Sequence, residues 1–195
     1  MATVFTKIGL FFGSFNPIHI GHLAIANYIV EYSDLQQIWF VVSPQNPFKE
    51  KKSLLADNHR YYMVNLAVED DYRFKASNIE FGLPQPSYTI NTLTYLKEKY
   101  PDREFSLIMG ADNLKHFHKW KNYEYISKNY KMYVYPRPGY DISNVDYPNV
   151  VKVDAPVMQI SASFIRQAIK EGKDIRYFLH PKVWNFIDEM NFYKK

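Results

Sequence analysis

An unbroken apolar run that ends in a glycine constrains this chain more than any other stretch. Ile8-Gly9-Leu10-Phe11-Phe12 offers no polar side chain to a solvent face, so it reads as a strand covered on both sides, the setting of a parallel sheet. Gly13-Ser14-Phe15-Asn16-Pro17-Ile18-His19-Ile20-Gly21-His22 follows, and Leu23 to Val30 then keeps apolar residues at helical spacing. Two histidines therefore sit where a strand hands over to a helix. In an open α/β sheet that junction lies at the carboxyl end of the strand, where ligands bind, and the N–H groups of a helix start favour anions such as phosphate. Gly13 is read here as the residue that permits a tight turn, and Gly21 as room for a bulky anion beside the backbone. His19 and His22, three apart, share one helical face, and each can donate to a phosphate oxygen. A pair of ordinary surface or core histidines is the competing reading; the glycines and the buried strand at the same junction favour the phosphate site.

The pattern then repeats. Ile38-Trp39-Phe40-Val41-Val42 is a second buried run, ending in the loop Ser43-Pro44-Gln45-Asn46-Pro47-Phe48-Lys49, from which Lys49 either reaches the phosphates or is a solvated lysine beside Lys51 and Lys52. Asp57 or Asn58 can cap a helix carrying Tyr62, Met63, Leu66 and Ala67 on one stripe. Tyr72 to Ala76 alternates and reads as an edge strand or one with a wet face. Prolines 84 and 86 precede Ser87-Tyr88-Thr89-Ile90-Asn91, where Ser87 or Thr89 can cap a helix ending before Pro101, and spare N–H groups there suit a carboxylate or amide. Phe105-Ser106-Leu107-Ile108-Met109 is a third buried run, closed by Gly110-Ala111-Asp112; Asp112 is placed either to accept from ribose hydroxyls or to cap the next helix. His116 and His118 face different ways on a helix and cannot share a metal; Trp120 follows. Tyr130 to Tyr135, ended by Pro136-Arg137-Pro138-Gly139, and Val150 to Val153 read as the last strands. Ser161 and Ser163 then open a helix with Arg166 one turn in, a second anion cradle of hydroxyls, N–H groups and a permanently charged fork, unless the serines only cap and the arginine is solvated. Val183 to Ile187 closes the chain as an amphipathic helix.

Composition narrows the partners. The 195 residues fit one domain, 1–195, whose helical part from about residue 161 forms a small sub-lobe. The 24 lysines and arginines against 20 acids are scattered, which suits an anionic small molecule better than a nucleic-acid groove. Cysteine is absent, excluding disulfides, thiolate metal sites and cysteine nucleophiles. No window approaches a membrane span and the early apolar run is too short for a signal core, so a soluble, cytoplasmic protein is expected, without nucleic acid or membrane as partner. The oligomeric state, a homo-oligomer included, is left open.

Strands alternating with helices and three anion-suited strand ends imply a doubly wound, mostly parallel α/β sheet that binds a nucleotide. Taken together, Gly13–His22, Ser43–Lys49, Ser87–Leu93, Gly110–Trp120 and Ile160–Arg166 resemble the bacterial nicotinate-nucleotide adenylyltransferases, of the HxGH nucleotidyltransferase superfamily with its Rossmann-like fold. The resemblance implies transfer of AMP from ATP to nicotinate mononucleotide, giving deamido-NAD and pyrophosphate, with Mg2+ carried by the ATP phosphates and no protein metal site. It assigns His19 and His22 to the ATP phosphates, Ser163 and Arg166 to the β- and γ-phosphates, and Asp112 to the adenosine ribose. Gly13, Ser14, Phe15, Gly110 and Ser161 complete the ATP site; Tyr88, Thr89 and Trp120, with Lys49, take the second substrate. Three positions depart from the pattern: Phe12 replaces a common glycine, and Asn16 and Asn91 replace aspartates. A pantetheine-phosphate or nicotinamide-nucleotide adenylyltransferase is the near alternative, and a non-catalytic nucleotide- or RNA-binding module the distant one. His19-Ile20-Gly21-His22 also spells the signature of class I aminoacyl-tRNA synthetases, but no Lys-Met-Ser-Lys-Ser segment accompanies it.

Overall fold

A computed structural model describes residues 6–44, 54–143 and 145–194. Among them, β1 (Thr6–Gly13), β2 (Gln37–Val42), β3 (Phe74–Ser77), β4 (Arg103–Gly110), β5 (Met132–Tyr135) and β6 (Val150–Lys152) form one sheet, ordered β3-β2-β1-β4-β5-β6 with every pairing parallel. Sequence order reverses between β1 and β4, the neighbours at the centre. That reversal is the switch point at which an open α/β sheet leaves a crevice between crossovers that run to opposite faces.

The two-residue repeat of a strand sends alternate side chains into two separate cores. Ile8 and Leu10 of β1, Trp39 and Val41 of β2 and Leu107 and Met109 of β4 point to one face; Phe11, Phe40, Val42 and Ile108 point to the other. The first face is covered by α3 (Thr89–Lys99), α4 (Ala111–Lys115) and α5 (Tyr123–Asn129), which contribute Leu93, Leu96, Leu114 and Ile126. On the second lie α1 (Ile20–Tyr32), α2 (Asp57–Val68), α6 (Ala162–Lys170) and α7 (Pro181–Glu189). Ile25, Ala26, Ile29 and Val30 form the buried stripe of α1, and Ile165, Ala168 and Ile169 that of α6, both at helical spacing. Residues after 161 pack into the same core as α1 and α2 through Ile165, Leu179, Val183 and Ile187.

Two local expectations change. The first helix begins at Ile20, with His19 as its N-cap and His22 in its first turn, three residues before the apolar periodicity starts. In α2 the buried positions are Arg60, Met63, Val64 and Val68, and Tyr62 is exposed. The stripe expected from apolar residues alone was displaced because a charged side chain, Arg60, takes one of the inward positions.

Candidate active site

Across the carboxyl edge of β1 and β4 opens a cavity of about 630 Å³. His19, His22 and Arg166 line one side of it, and Tyr88, Thr89 and Trp120 the other. The histidines are placed by the helix start. The His19 carbonyl receives the N–H groups of His22 (2.9 Å) and Leu23 (3.3 Å), and the His19 N–H reaches back to His22 Nδ1 at 3.3 Å. That last bond fixes the tautomer, because a neutral imidazole accepting at Nδ1 carries its proton on Nε2. The two rings stack with centroids 3.7 Å apart, and His22 also meets the edges of Phe11 and Phe15.

Burial, and after it the positive charge of Arg137, hold the His19 pKa down to about 4, so the ring is neutral at pH 7. Its Nδ1 is buried without a hydrogen bond. The glycines here serve close approach rather than turning. A Cβ at Gly21 would sit 3.1 Å from His19 Nδ1, so the room expected for an anion is taken by the imidazole itself. A Cβ at Gly13 would meet the Phe15 ring at 2.8 Å, and the positive φ of this loop falls on Phe15 (44°), whose ring is locked between Phe11, Phe40 and His22.

The late helix converges on the same loop. Arg166 donates from Nη1 to the Asn16 carbonyl (2.8 Å) and from Nη2 to Ser163 Oγ (3.3 Å), bridging 150 residues of sequence. Ser161 is the N-cap of α6, accepting from the Phe164 N–H at 3.1 Å, and it lines the cavity with Ser163. Asn16, where the related pattern has aspartate, is buried and accepts at Oδ1 from the Tyr193 hydroxyl (2.8 Å) and the Leu55 N–H (3.3 Å). A neutral amide meets those two donors without burying a carboxylate's charge.

At the end of β4, Asp112 lies in the first turn of α4, whose N-cap is Gly110, so it is not the cap. Asp112 Oδ1 stands 3.6 Å from Arg137 Nε, and both atoms are buried without a hydrogen bond. Gly110 itself is absent from the cavity wall. Its lack of a side chain lets Asp112 fold back over the strand end, since a Cβ would lie 2.3 Å from Asp112 Oδ1. Ser87 does not cap α3: its hydroxyl donates to Gln85 Oε1, and the N-cap is Tyr88 with no capping side chain, leaving first-turn N–H groups beside the cavity. Lys49 lies outside the described residues.

Four further residues escaped the sequence reading. Arg137 lines the cavity from the loop after β5, and Pro-Arg-Pro-Gly at a strand's carboxyl end was a signal that could have found it. Lys119 and Lys121, on either side of Trp120, also reach the wall, where Lys121 Nζ lies 4.9 Å from the Tyr88 ring centre. Glu80 is buried on the wall; its Oε1 accepts from the Thr92 hydroxyl (2.8 Å), its Oε2 has no hydrogen bond, and loss of solvent raises its pKa. Among the described residues, no three histidine or carboxylate groups come together as a metal cage.

Residues 10–168 match the family model of cytidylyltransferase-like proteins. A probable nicotinate-nucleotide adenylyltransferase of Flavobacterium johnsoniae is 58% identical over 192 residues, spanning 97% of this chain and 100% of its relative. Another probable nicotinate-nucleotide adenylyltransferase, from Bacteroides thetaiotaomicron, is 51% identical over 94% of this chain and 91% of its own. Among solved structures, Plasmodium falciparum nicotinic acid mononucleotide adenylyltransferase complexed with NaAD aligns over 97% of this chain and 98% of that one, with a TM-score of 0.82. At 20% identity that likeness speaks for the fold alone. Identity of this extent over the full length settles descent: the chain belongs to the nicotinate-nucleotide adenylyltransferase family of cytidylyltransferase-like proteins.

Proposed function

We propose that the protein moves AMP from ATP to the phosphate of nicotinate mononucleotide, releasing pyrophosphate and forming deamido-NAD. The observation that carries this reading is the two-sided cavity at the β1–β4 switch point, with imidazoles and a guanidinium on one side and aromatic rings beside a helix start on the other. An oxygen of the mononucleotide phosphate attacks the α-phosphorus of ATP, a new P–O bond forms, and the bond from the α-phosphorus to the bridging oxygen breaks as pyrophosphate departs. The attacking group arrives ionised, so no activated serine, cysteine or strong base is required. What the reaction needs is alignment of two anions and neutralisation of charge on the leaving group.

His19 and His22 suit the α-phosphate and the bridging oxygen, since the start of α1 sets both rings on one side of the cavity. As negative charge comes within reach, the depressed pKa of His19 rises, adding positive charge where the leaving group forms. Arg166, with the hydroxyls of Ser161 and Ser163 and the N–H groups of α6, suits the β- and γ-phosphates. The buried and unbonded Asp112 Oδ1 and Arg137 Nε suit the ribose and its surroundings. Tyr88, Thr89 and Trp120 suit the pyridine, and the uncapped start of α3 its carboxylate, helped by Lys119 and Lys121. A divalent ion, Mg2+ in this proposal, fits best as part of the ATP complex, held by phosphate oxygens and water. Among the described residues no helix is long and apolar enough to cross a membrane.

The test is pyrophosphate release in parallel reactions with ATP, Mg2+ and either nicotinate or nicotinamide mononucleotide. Release with the acid, at a kcat/KM at least tenfold above that with the amide, is expected. Preference for the amide, or pyrophosphate release with neither, would overturn the proposal.

A further inference from the structure

Phe12 stands out because nothing in the phosphate or ribose chemistry calls for it. It is the last residue of the row Ile8, Leu10, Phe12 on the α3–α4 face of β1; the first two are wholly buried, whereas Phe12 is only partly covered and reaches the cavity. The core against which it packs includes Leu107 and Met109, from the matching face of β4, which also line the cavity. Tyr88 and Trp120 pack onto the same core and face the same space. Phe11, one residue earlier, points the other way and meets His22, so β1 divides the cavity into an imidazole side and an aromatic side.

We infer that Phe12 is a substrate-contacting wall of the base slot, which together with Tyr88 and Trp120 selects a flat, positively charged aromatic ring. This rests on the proposed function, under which the base is a pyridine bonded to ribose through its ring nitrogen and therefore cationic. The electron-rich faces of aromatic rings attract such a cation and its π-system together, an effect that strengthens as water is excluded. A smaller residue at position 12 would leave that face of the slot open to water. The phosphates, held by side chains on the opposite face of β1, would not feel the change.

The test is steady-state kinetics and unfolding of Phe12→Ala and Phe12→Leu, varying each substrate with the other saturating. For Phe12→Ala, KM for the mononucleotide is expected to rise about tenfold, equivalent to about 1.4 kcal/mol, with KM for ATP within twofold of wild type. Phe12→Leu keeps apolar bulk without a π face, guards against loss of folding, and is expected to raise the same KM about threefold. An unchanged mononucleotide KM in Phe12→Ala, or a parallel rise in both KM values in the well-folded Phe12→Leu, overturns the inference. Wild-type enzyme that fails to use the mononucleotide would instead sink the proposed function, so the two failures are distinguishable.

Discussion

His19→Ala is expected to lower kcat by at least about a hundredfold, the scale of losing one donor to charge that develops in a transition state. The KM for the mononucleotide should change little, because the base slot lies across β1 from the imidazoles. Turnover at the wild-type rate would remove His19 from the mechanism. The same variant carries a second readout. An unfolded chain protonates this histidine near its ordinary pKa of about 6.5, whereas the folded protein does so only near 4. Between those values the unfolded state binds the extra proton, so wild-type stability falls as pH drops from about 6.5 towards 4, by on the order of 3 kcal/mol. His19→Ala should lack that component. Comparison is cleanest above pH 4, because Asp34, whose carboxyl is held low by hydrogen bonds from Lys7 and Tyr133, adds its own loss of stability at lower pH.

Arg60→Met is expected to cost about 3–5 kcal/mol of folding free energy, the scale of breaking a buried, fully bonded charge. The side chain is completely buried. Its Nε donates to the Leu55 carbonyl (3.0 Å), its Nη1 to the carbonyls of Ser43 (3.0 Å) and Ser14, and its Nη2 to the Pro44 carbonyl (3.4 Å) and to Asp57 Oδ1 (2.6 Å). Removing the guanidinium strands several buried acceptors at once, each costing roughly 1–3 kcal/mol if left unpaired. Ser14 and Ser43 end the loop entries from β1 and β2, so Arg60 sets the cavity rim as well as stabilising the fold. Arg60→Lys should recover only part of the loss, because a single ammonium cannot reproduce the fork. Urea unfolding measures both; a change under about 1 kcal/mol for Arg60→Met would show that the carbonyls find other donors.

The two residues also mark how far the sequence could be read. Buried strands such as Ile38–Val42 and Phe105–Met109 are legible because a sheet covered on both faces needs unbroken apolar runs, and strand ends in such a sheet are where ligands collect. His19, His22, Ser163, Arg166 and Asp112 were therefore found by position, Tyr88 and Trp120 only through the family resemblance, and all of them line one cavity. Arg60 was not legible. It sits among polar neighbours on a helix, and what buries it is a set of carbonyls as far as 46 residues away. Glu80 was hidden likewise, since its partner Thr92 is brought to it by the packing of α3. Gly13 was read as a turn and Gly21 as room for an anion, whereas which ring or carboxylate fills the space at Gly13, Gly21 and Gly110 is a tertiary fact. Phe12 was visible as a departure from a pattern, but its meaning needed the face of β1 on which it lies.

A crystal structure of the protein with a non-hydrolysable ATP analogue and nicotinate mononucleotide tests the account most directly. The account predicts a triphosphate lying between the His19–His22 pair and Arg166, with the pyridine against Phe12, Tyr88 and Trp120 and the two phosphates in line across the end of β1. Triphosphate bound away from that edge, or a pyridine ring on the histidine side, would contradict it.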